Sequence, residues 1–191
     1  MRTLGIDPGK NGFLCLLVDC GTAAEAAQGT MRFWPTPTIK VGKGTSNKQD
    51  YDVAAMRRIL TDAAPTLVIL EKQQAMCRAD NERTQGTASS FSTGFGYGLW
   101  LGLIAGLGFC CQVVHPRTWQ AKLLRDVQGT DTKARSITAA GRLFPTVDLR
   151  ASDRCRKPHD GKADALLIAH YGRTYVAQEY APIIELFADE K

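Results

Sequence analysis

The chain has 191 residues, of which 44% are hydrophobic and 23% charged, and its formal net charge is +5. This is the composition of an ordinary single globular domain large enough to build its own core, without repeats or low-complexity linkers. The mild positive charge suits a polyanionic partner without identifying one. The six cysteines form no C-x-x-C pair and have no histidine at zinc-finger spacing, so they read as buried or idle thiols rather than ligands or a disulfide framework.

An apolar run, Leu4 to Ile6, stops at Asp7, and Pro8, Gly9 and Gly12 follow. This predicts a strand over Thr3–Asp7, a turn over Pro8–Gly12 and a second strand over Phe13–Asp19, paired as a hairpin. Asp7 then caps the turn, or the glycine-bearing hairpin cradles a phosphate, or the strand-borne acid holds a metal ion. With a first strand this close to Met1, no signal peptide is expected before it. A turn is expected over Gly21–Gln28, a third strand over Thr30–Trp34 and a basic loop over Pro35–Gln49. Tyr51–Ala63 has Val53, Met56, Ile59 and Leu60 at helical spacing. Leu67–Leu70 is wholly apolar, as a strand buried on both faces should be, and it stops at Glu71.

No charged residue occurs from Thr84 to Val114. Frequent glycines and a polar first part argue against a membrane span and for a mostly buried, glycine-rich helix ending near Leu107. A strand is expected over Phe109–Val114 and a short helix over Arg117–Arg125. Gly129–Asp131 reads as a turn with Thr130 or Thr132 as the next N-cap. A helix over Lys133–Phe144 carries Ile137, Ala140, Leu143 and Phe144 on one side. Val147–Pro158 is irregular, and Ala163–Val176 is the last helix. Residues 1–178 form one domain and residues 179–191 a tail. The expected fold is α/β: a mixed five-stranded sheet, three antiparallel strands followed by parallel additions, flanked by helices.

Asp7 and Glu71 each end an apolar strand, and Asp160 and Asp164, four apart, share a helix face. Bunched carboxylates repel one another and are costly to desolvate, so they call for cations. An oxygen-only donor set suits Mg²⁺ or Mn²⁺, and two such ions about 4 Å apart can stabilise both oxygens of an in-line phosphoryl displacement. Each acid alone has an ordinary explanation as a cap or a helix-dipole partner.

The stretches "GIDPG", "LVILEKQQ" and "ADALLIAHYG" resemble the RuvC-type Holliday-junction resolvases of the RNase H-like superfamily. "FSTGFGYGLWLGLIAGLGF", "VHPRTWQAKLL", "DTKARSITAAGRLFP" and "HDGKADALLIAHYG" look closer still to the plant chloroplast resolvases of the monokaryotic-chloroplast type. The similarity runs from Arg2 to Arg173. It implies an RNase H-like fold and a homodimeric, metal-dependent endonuclease, with two Mg²⁺ or Mn²⁺ ions per site, that resolves four-way junction DNA by paired symmetric nicks. It implies no small-molecule cofactor and no membrane partner. Asp7, Glu71 and Asp164 match the family's metal-binding acids. The family's fourth ligand, an Asp or His three residues before the last acid, falls on Gly161, so Asp160 is the natural substitute and His159 the runner-up. Lys133 stands where the family carries a basic residue near the scissile phosphate; as an isolated lysine it reads equally as a solvated helix-start charge. The family's junction-wedge aromatic is replaced by Lys72, Gln73 and Gln74, and Phe91, Phe95 or Tyr97 could stand in for it or simply pack.

Basic residues flank the acidic motifs: Lys40, Lys43 and Lys48; Arg117, Lys122 and Arg125; and Arg150, Arg154, Arg156 and Lys157. Singly they read as solvated charges, and together as phosphate contacts. Three other readings stay open. One is another RNase H-like nuclease acting on hybrids or transcripts, another a junction-binding protein that has lost cleavage, and the third a sugar kinase or actin-like ATPase lacking its second phosphate loop. The expected location is a prokaryotic or phage-infected cytoplasm, in association with the nucleoid.

Overall fold

The computed structural model describes residues 1–19, 31–41, 49–73 and 86–178. The opening hairpin is β1 (Arg2–Ile6) and β2 (Phe13–Val18), antiparallel in register. Asp7 lies just past β1, with its N–H donating to the Phe13 carbonyl at 3.0 Å. β3 (Met31–Pro35) adds to β2 antiparallel. A two-stranded ribbon, β4 (Thr38–Lys40) with β5 (Gln49–Tyr51), stands where a plain loop was expected. Its strands are too short for a periodic signal; the buried Tyr51 ring anchors them instead.

Helix α1 (Val53–Ala63) starts at Asp52, whose carboxylate accepts the Ala55 N–H, and buries Met56, Leu60 and Ala63. β6 (Leu67–Glu71) then pairs parallel with β1. Helix α2 (Thr87–Gly106) is not mostly buried. Trp100 and Ile104 enter the core, while Phe91 and Phe95 are exposed, because one face of the helix has no neighbour among the described residues. β7 (Cys111–Val114) pairs parallel with β6 and starts two residues later than expected, after Gly108 turns the chain at φ +73°. Helix α3 (Pro116–Leu123) buries Trp119. Helix α4 (Thr132–Leu143) is capped by Asp131 rather than by Thr130 or Thr132, its carboxylate accepting the Ala134 N–H at 2.8 Å. Leu143 is exposed, and Ser136, Ala139, Ala140 and Phe144 face inward. Helix α5 (Asp160–Tyr171) begins three residues earlier than the sequence suggested and continues as a π-helical turn over Gly172–Val176.

The sheet order is β3-β2-β1-β6-β7, the expected mixed RNase H-like arrangement. Its two faces separate two cores. Leu4, Ile6, Leu14, Leu16, Val68 and Leu70 pack against α1 and α2. Phe13, Cys15, Leu17, Leu67 and Ile69 pack against α3, α4 and α5. Gly5 lets α5 lie directly on β1, since a Cβ there would come within 2.4 Å of Ala165 O and Ala169 N. Among the described residues, no helix is long and apolar enough to cross a membrane. The described cysteines, Cys15, Cys110, Cys111 and Cys155, are all free thiols. Cys20, Cys77, Gln74, Lys43, Lys48, the Gly21–Gln28 turn and the tail from 179 lie outside the described residues.

Candidate active site

The β1–β6 register runs Thr3↔Leu67, Gly5↔Ile69 and Ile6↔Leu70. One step further it sets Asp7 beside Glu71. By the alternation of a strand, both acids belong to the face that α5 covers. On α5, Asp160 is the first residue and Asp164 lies one turn on, and Lys133 is the second residue of α4. Asp7, Glu71, Asp160, Asp164 and Lys133 line one cleft of about 610 Å³, with Lys10, Tyr51, Gln73, Ser92 and His159 around them. The four acids and the lysine singled out in the sequence are therefore together.

The cleft is electrostatically unrelieved. Burial pushes the Asp7 carboxyl up to about 6, and the Asp160 charge adds to this against a Gly9 N–H 3.4 Å from Oδ1. Burial and the Asp7 charge push Glu71 up to about 8, with the Trp119 indole opposing. Burial, then the Asp7 and Asp160 charges, push Asp164 up to about 7. The nearby Ser136 hydroxyl opposes this shift, although Asp164 Oδ1 has no hydrogen-bond partner of ordinary geometry among the described residues. Asp160 behaves differently. Partial burial pushes it up, yet the Lys133 ammonium bonded to it outweighs this and holds it below its ordinary value. The same contact raises the Lys133 ammonium. Three carboxyl groups raised together in one cleft, by burial and by one another, make it a candidate functional site.

The donor set fits a hard divalent cation: oxygen ligands only, mutually repelling, one of them with an unmet acceptor. Among the described residues, no group of three or more His, Cys, Asp or Glu side chains is placed close enough together to hold a metal ion. The acids line an open cleft rather than a cage.

His159 lies beside the fourth acid, with its Nδ1 3.9 Å from Asp160 Oδ1 and its ring against Phe13. Gly161 has a packing reason for being glycine: a Cβ there would come 2.9 Å from Asn11 O and 3.1 Å from Asp7 Oδ2. No larger residue fits at that point of α5.

The sequence reading missed Trp119, whose indole donates to Glu71 Oε1 at 2.9 Å across 48 positions of chain. No local signal announces such a contact. Phe91 and Phe95, two of the three aromatics named as possible wedges, line an adjoining hollow that shares Lys10 and Ser92 with the cleft. Phe91 is 74% exposed and stacks on Phe95, with centroids 6.1 Å apart, and Phe95 in turn meets Tyr51.

The basic residues divide. Lys40, Arg117, Lys122, Arg125, Arg154, Arg156 and Lys157 are exposed, and the Lys122 ammonium lies over the Tyr175 ring. Arg150 is engaged with Asp148 at 2.8 Å. Arg117 and Arg125 share a shallow hollow of about 380 Å³ with Arg135, a residue not singled out in the sequence, and none of its lining residues is acidic.

No family model and no curated protein matches the chain. Solved structures match it in fold. Thermus thermophilus RuvC aligns at TM-score 0.50 and 18% identity, covering 91% of this chain and 96% of that one. The same organism's RuvC in complex with Holliday junction substrate aligns at TM-score 0.51 and 17% identity, covering 93% and 96%. The yeast mitochondrial Holliday junction resolvase aligns at TM-score 0.55 and 14% identity, covering 97% and 84%.

Proposed function

We infer that this protein is an endonuclease that resolves four-way DNA junctions, with Asp7, Glu71, Asp164 and Asp160 holding Mg²⁺ or Mn²⁺. The observation that carries this reading is the meeting of four acids and a lysine in one cleft, on a fold shared with proteins described as junction resolvases. The sequence motifs favour the plant chloroplast type within that group.

Bound divalent ions would activate the attacking water and stabilise the charge that develops at the phosphate. The remaining work falls to the chain. Asp7 and Glu71 are presented by adjacent strand ends, and Asp164 by a helix that Gly5 allows to sit against β1. Burial of these three disfavours their full ionisation without a cation, so cation binding and ionisation reinforce each other. Lys133 stands at the rim, where its ammonium can pass from Asp160 to a scissile phosphate.

Lys40, Arg117, Lys122, Arg154, Arg156 and Lys157, with Arg125 and Arg135, are the proposed phosphate contacts. Phe91 and Phe95 are the proposed aromatic surface for an unstacked base at the junction centre. A homodimer follows from the two-fold symmetry of a junction cut at two points. The open face of α2 is the proposed contributor to that dimer.

The direct test is incubation with synthetic four-way junction, duplex and RNA–DNA hybrid, each with Mg²⁺ and with chelator. Paired nicks on the junction alone, lost with chelator, are the expected result. Cleavage confined to the hybrid would assign the cleft to a different substrate. Tight junction binding without cleavage would make the protein a binding module.

A further inference from the structure

We propose that Trp119 is a positioning residue, whose indole N–H fixes the carboxylate of Glu71 for cation binding. The inference rests on the reading of the cleft as a cation site and goes beyond it, because Trp119 does not line the cleft and carries no charge.

Trp119 is fully buried, among the residues that join α3, α4 and α5 to the sheet. An indole has one donor and no acceptor, and a buried one usually finds a partner, though the buried Trp100 N–H has none among the described residues. Here that partner is Glu71 Oε1, at 2.9 Å. Oε2, the other oxygen, accepts from the Gln73 side-chain amide at 3.3 Å. Gln73 and Glu71 both line the cleft, so Oε2 is the cleft-side oxygen, with acceptor capacity beyond the one Gln73 bond.

The chemistry of the donor matters. The Lys133 ammonium both holds Asp160 and neutralises it. An indole N–H holds Glu71 just as directionally but brings no positive charge that would compete with a cation. A neutral donor behind a metal-binding oxygen is the arrangement expected of an outer-shell group, which orients the ligand without competing for it. The ring cannot drift, because core packing on α3 surrounds it.

Trp119→Phe keeps the ring and removes the donor. Mn²⁺ affinity by calorimetry should fall by about 10-fold to 100-fold. The Mg²⁺ concentration needed for half-maximal single-turnover cleavage should rise by a similar factor. Metal-free junction affinity should be unchanged. A variant that binds Mn²⁺ like the parent protein would overturn the proposal. Failure of the parent protein itself to bind Mn²⁺ would instead reject the cation site, so the two failures are distinguishable.

Should Trp119→Phe not fold, the unaltered protein supplies a second readout. Of the three indole N–H resonances expected from its three tryptophans, one should shift on Mg²⁺ addition, and Glu71→Gln should abolish that shift. Three indole signals indifferent to Mg²⁺, at concentrations that calorimetry shows to be bound, would also overturn the proposal.

Discussion

Lys133 Nζ and Asp160 Oδ2 are 2.5 Å apart, an ion pair that ties the start of α4 to the start of α5 at the cleft rim. Lys133 is 73% exposed and Asp160 32%. A pair this open is worth at most about 1 kcal/mol, so a phosphate or a cation can part it. If Lys133 then faces the scissile phosphate, Lys133→Ala lowers the single-turnover rate on the order of 100-fold and leaves junction affinity nearly unchanged. If it is one phosphate contact among many, affinity falls modestly, the salt slope drops by about one, and cleavage at saturating protein stays near normal. The same rim decides the fourth ligand. Asp160→Asn should damage cleavage more than His159→Ala, and the reverse ranking would assign the role to His159.

Asp7 stands where the two strand-end acids meet the helix acids. Asp7→Asn keeps the shape and removes the charge, so cleavage should fall by more than about 100-fold. Junction binding should remain measurable. Retained nicking with Mg²⁺ would rule out Asp7 as a cation ligand.

Asp7, Glu71 and Asp164 share a sign in their linkage to stability. Their folded-state pKa values, about 6, 8 and 7, lie above their ordinary values of 3.8, 4.5 and 3.8. The stability they contribute is complete below about pH 4 and lost as pH rises through those folded values. With chelator present, the melting temperature should therefore fall from about pH 5 to about pH 8. Added Mg²⁺ should restore it at the alkaline end, where the acids are ionised and can bind. Without metal at pH 8, Asp7→Asn should melt higher than the parent by about 2–4 °C for each kcal/mol of repulsion relieved. A melting temperature insensitive to both pH and Mg²⁺ would contradict this account.

Much of the site was legible because its acids interrupt strong local patterns. Leu4–Ile6 and Leu67–Leu70 are apolar runs whose next residue is Asp7 or Glu71, and strand alternation places both on one face. Asp160 and Asp164 were legible as a helical pair, although the helix starts earlier than its apolar stripe. What stayed hidden depends on tertiary contact. The β4–β5 ribbon exists because Tyr51 is buried. The open face of α2 could not be seen because glycine has no hydropathy signature of inside or outside. Trp119 reads as core and is core, and only the fold shows where its N–H points. Asp131 prevailed over Thr130 and Thr132 as a cap because its carboxylate reaches the Ala134 N–H.

Phe91 is too exposed to serve the core, so Phe91→Ala should change stability by no more than about 0.5 kcal/mol. Stacking of a base on an aromatic ring is worth about 1–3 kcal/mol. Junction affinity should accordingly drop about tenfold, with duplex affinity little altered. Equal losses on junction and duplex would mean that the ring does not meet an unstacked base.

Gly94, Gly98, Gly102 and Gly106 recur every four residues along one exposed face of α2, and a Cβ at any of them would meet nothing within 4 Å. Within one chain this is costly, since mid-helix glycine is about 1 kcal/mol less favourable than alanine. A second copy of the helix crossing at backbone distance would offset that cost. Gly98→Ala distinguishes the two situations. On a free face it should stabilise the protein by about 0.5–1 kcal/mol and leave the sedimentation coefficient alone. On a face packed against a second copy, the added methyl should loosen the association, and Gly98→Arg should abolish it while the chain keeps its helical spectrum. Sedimentation of the parent protein as a monomer, both free and on junction DNA, would remove the dimer from the proposed mechanism.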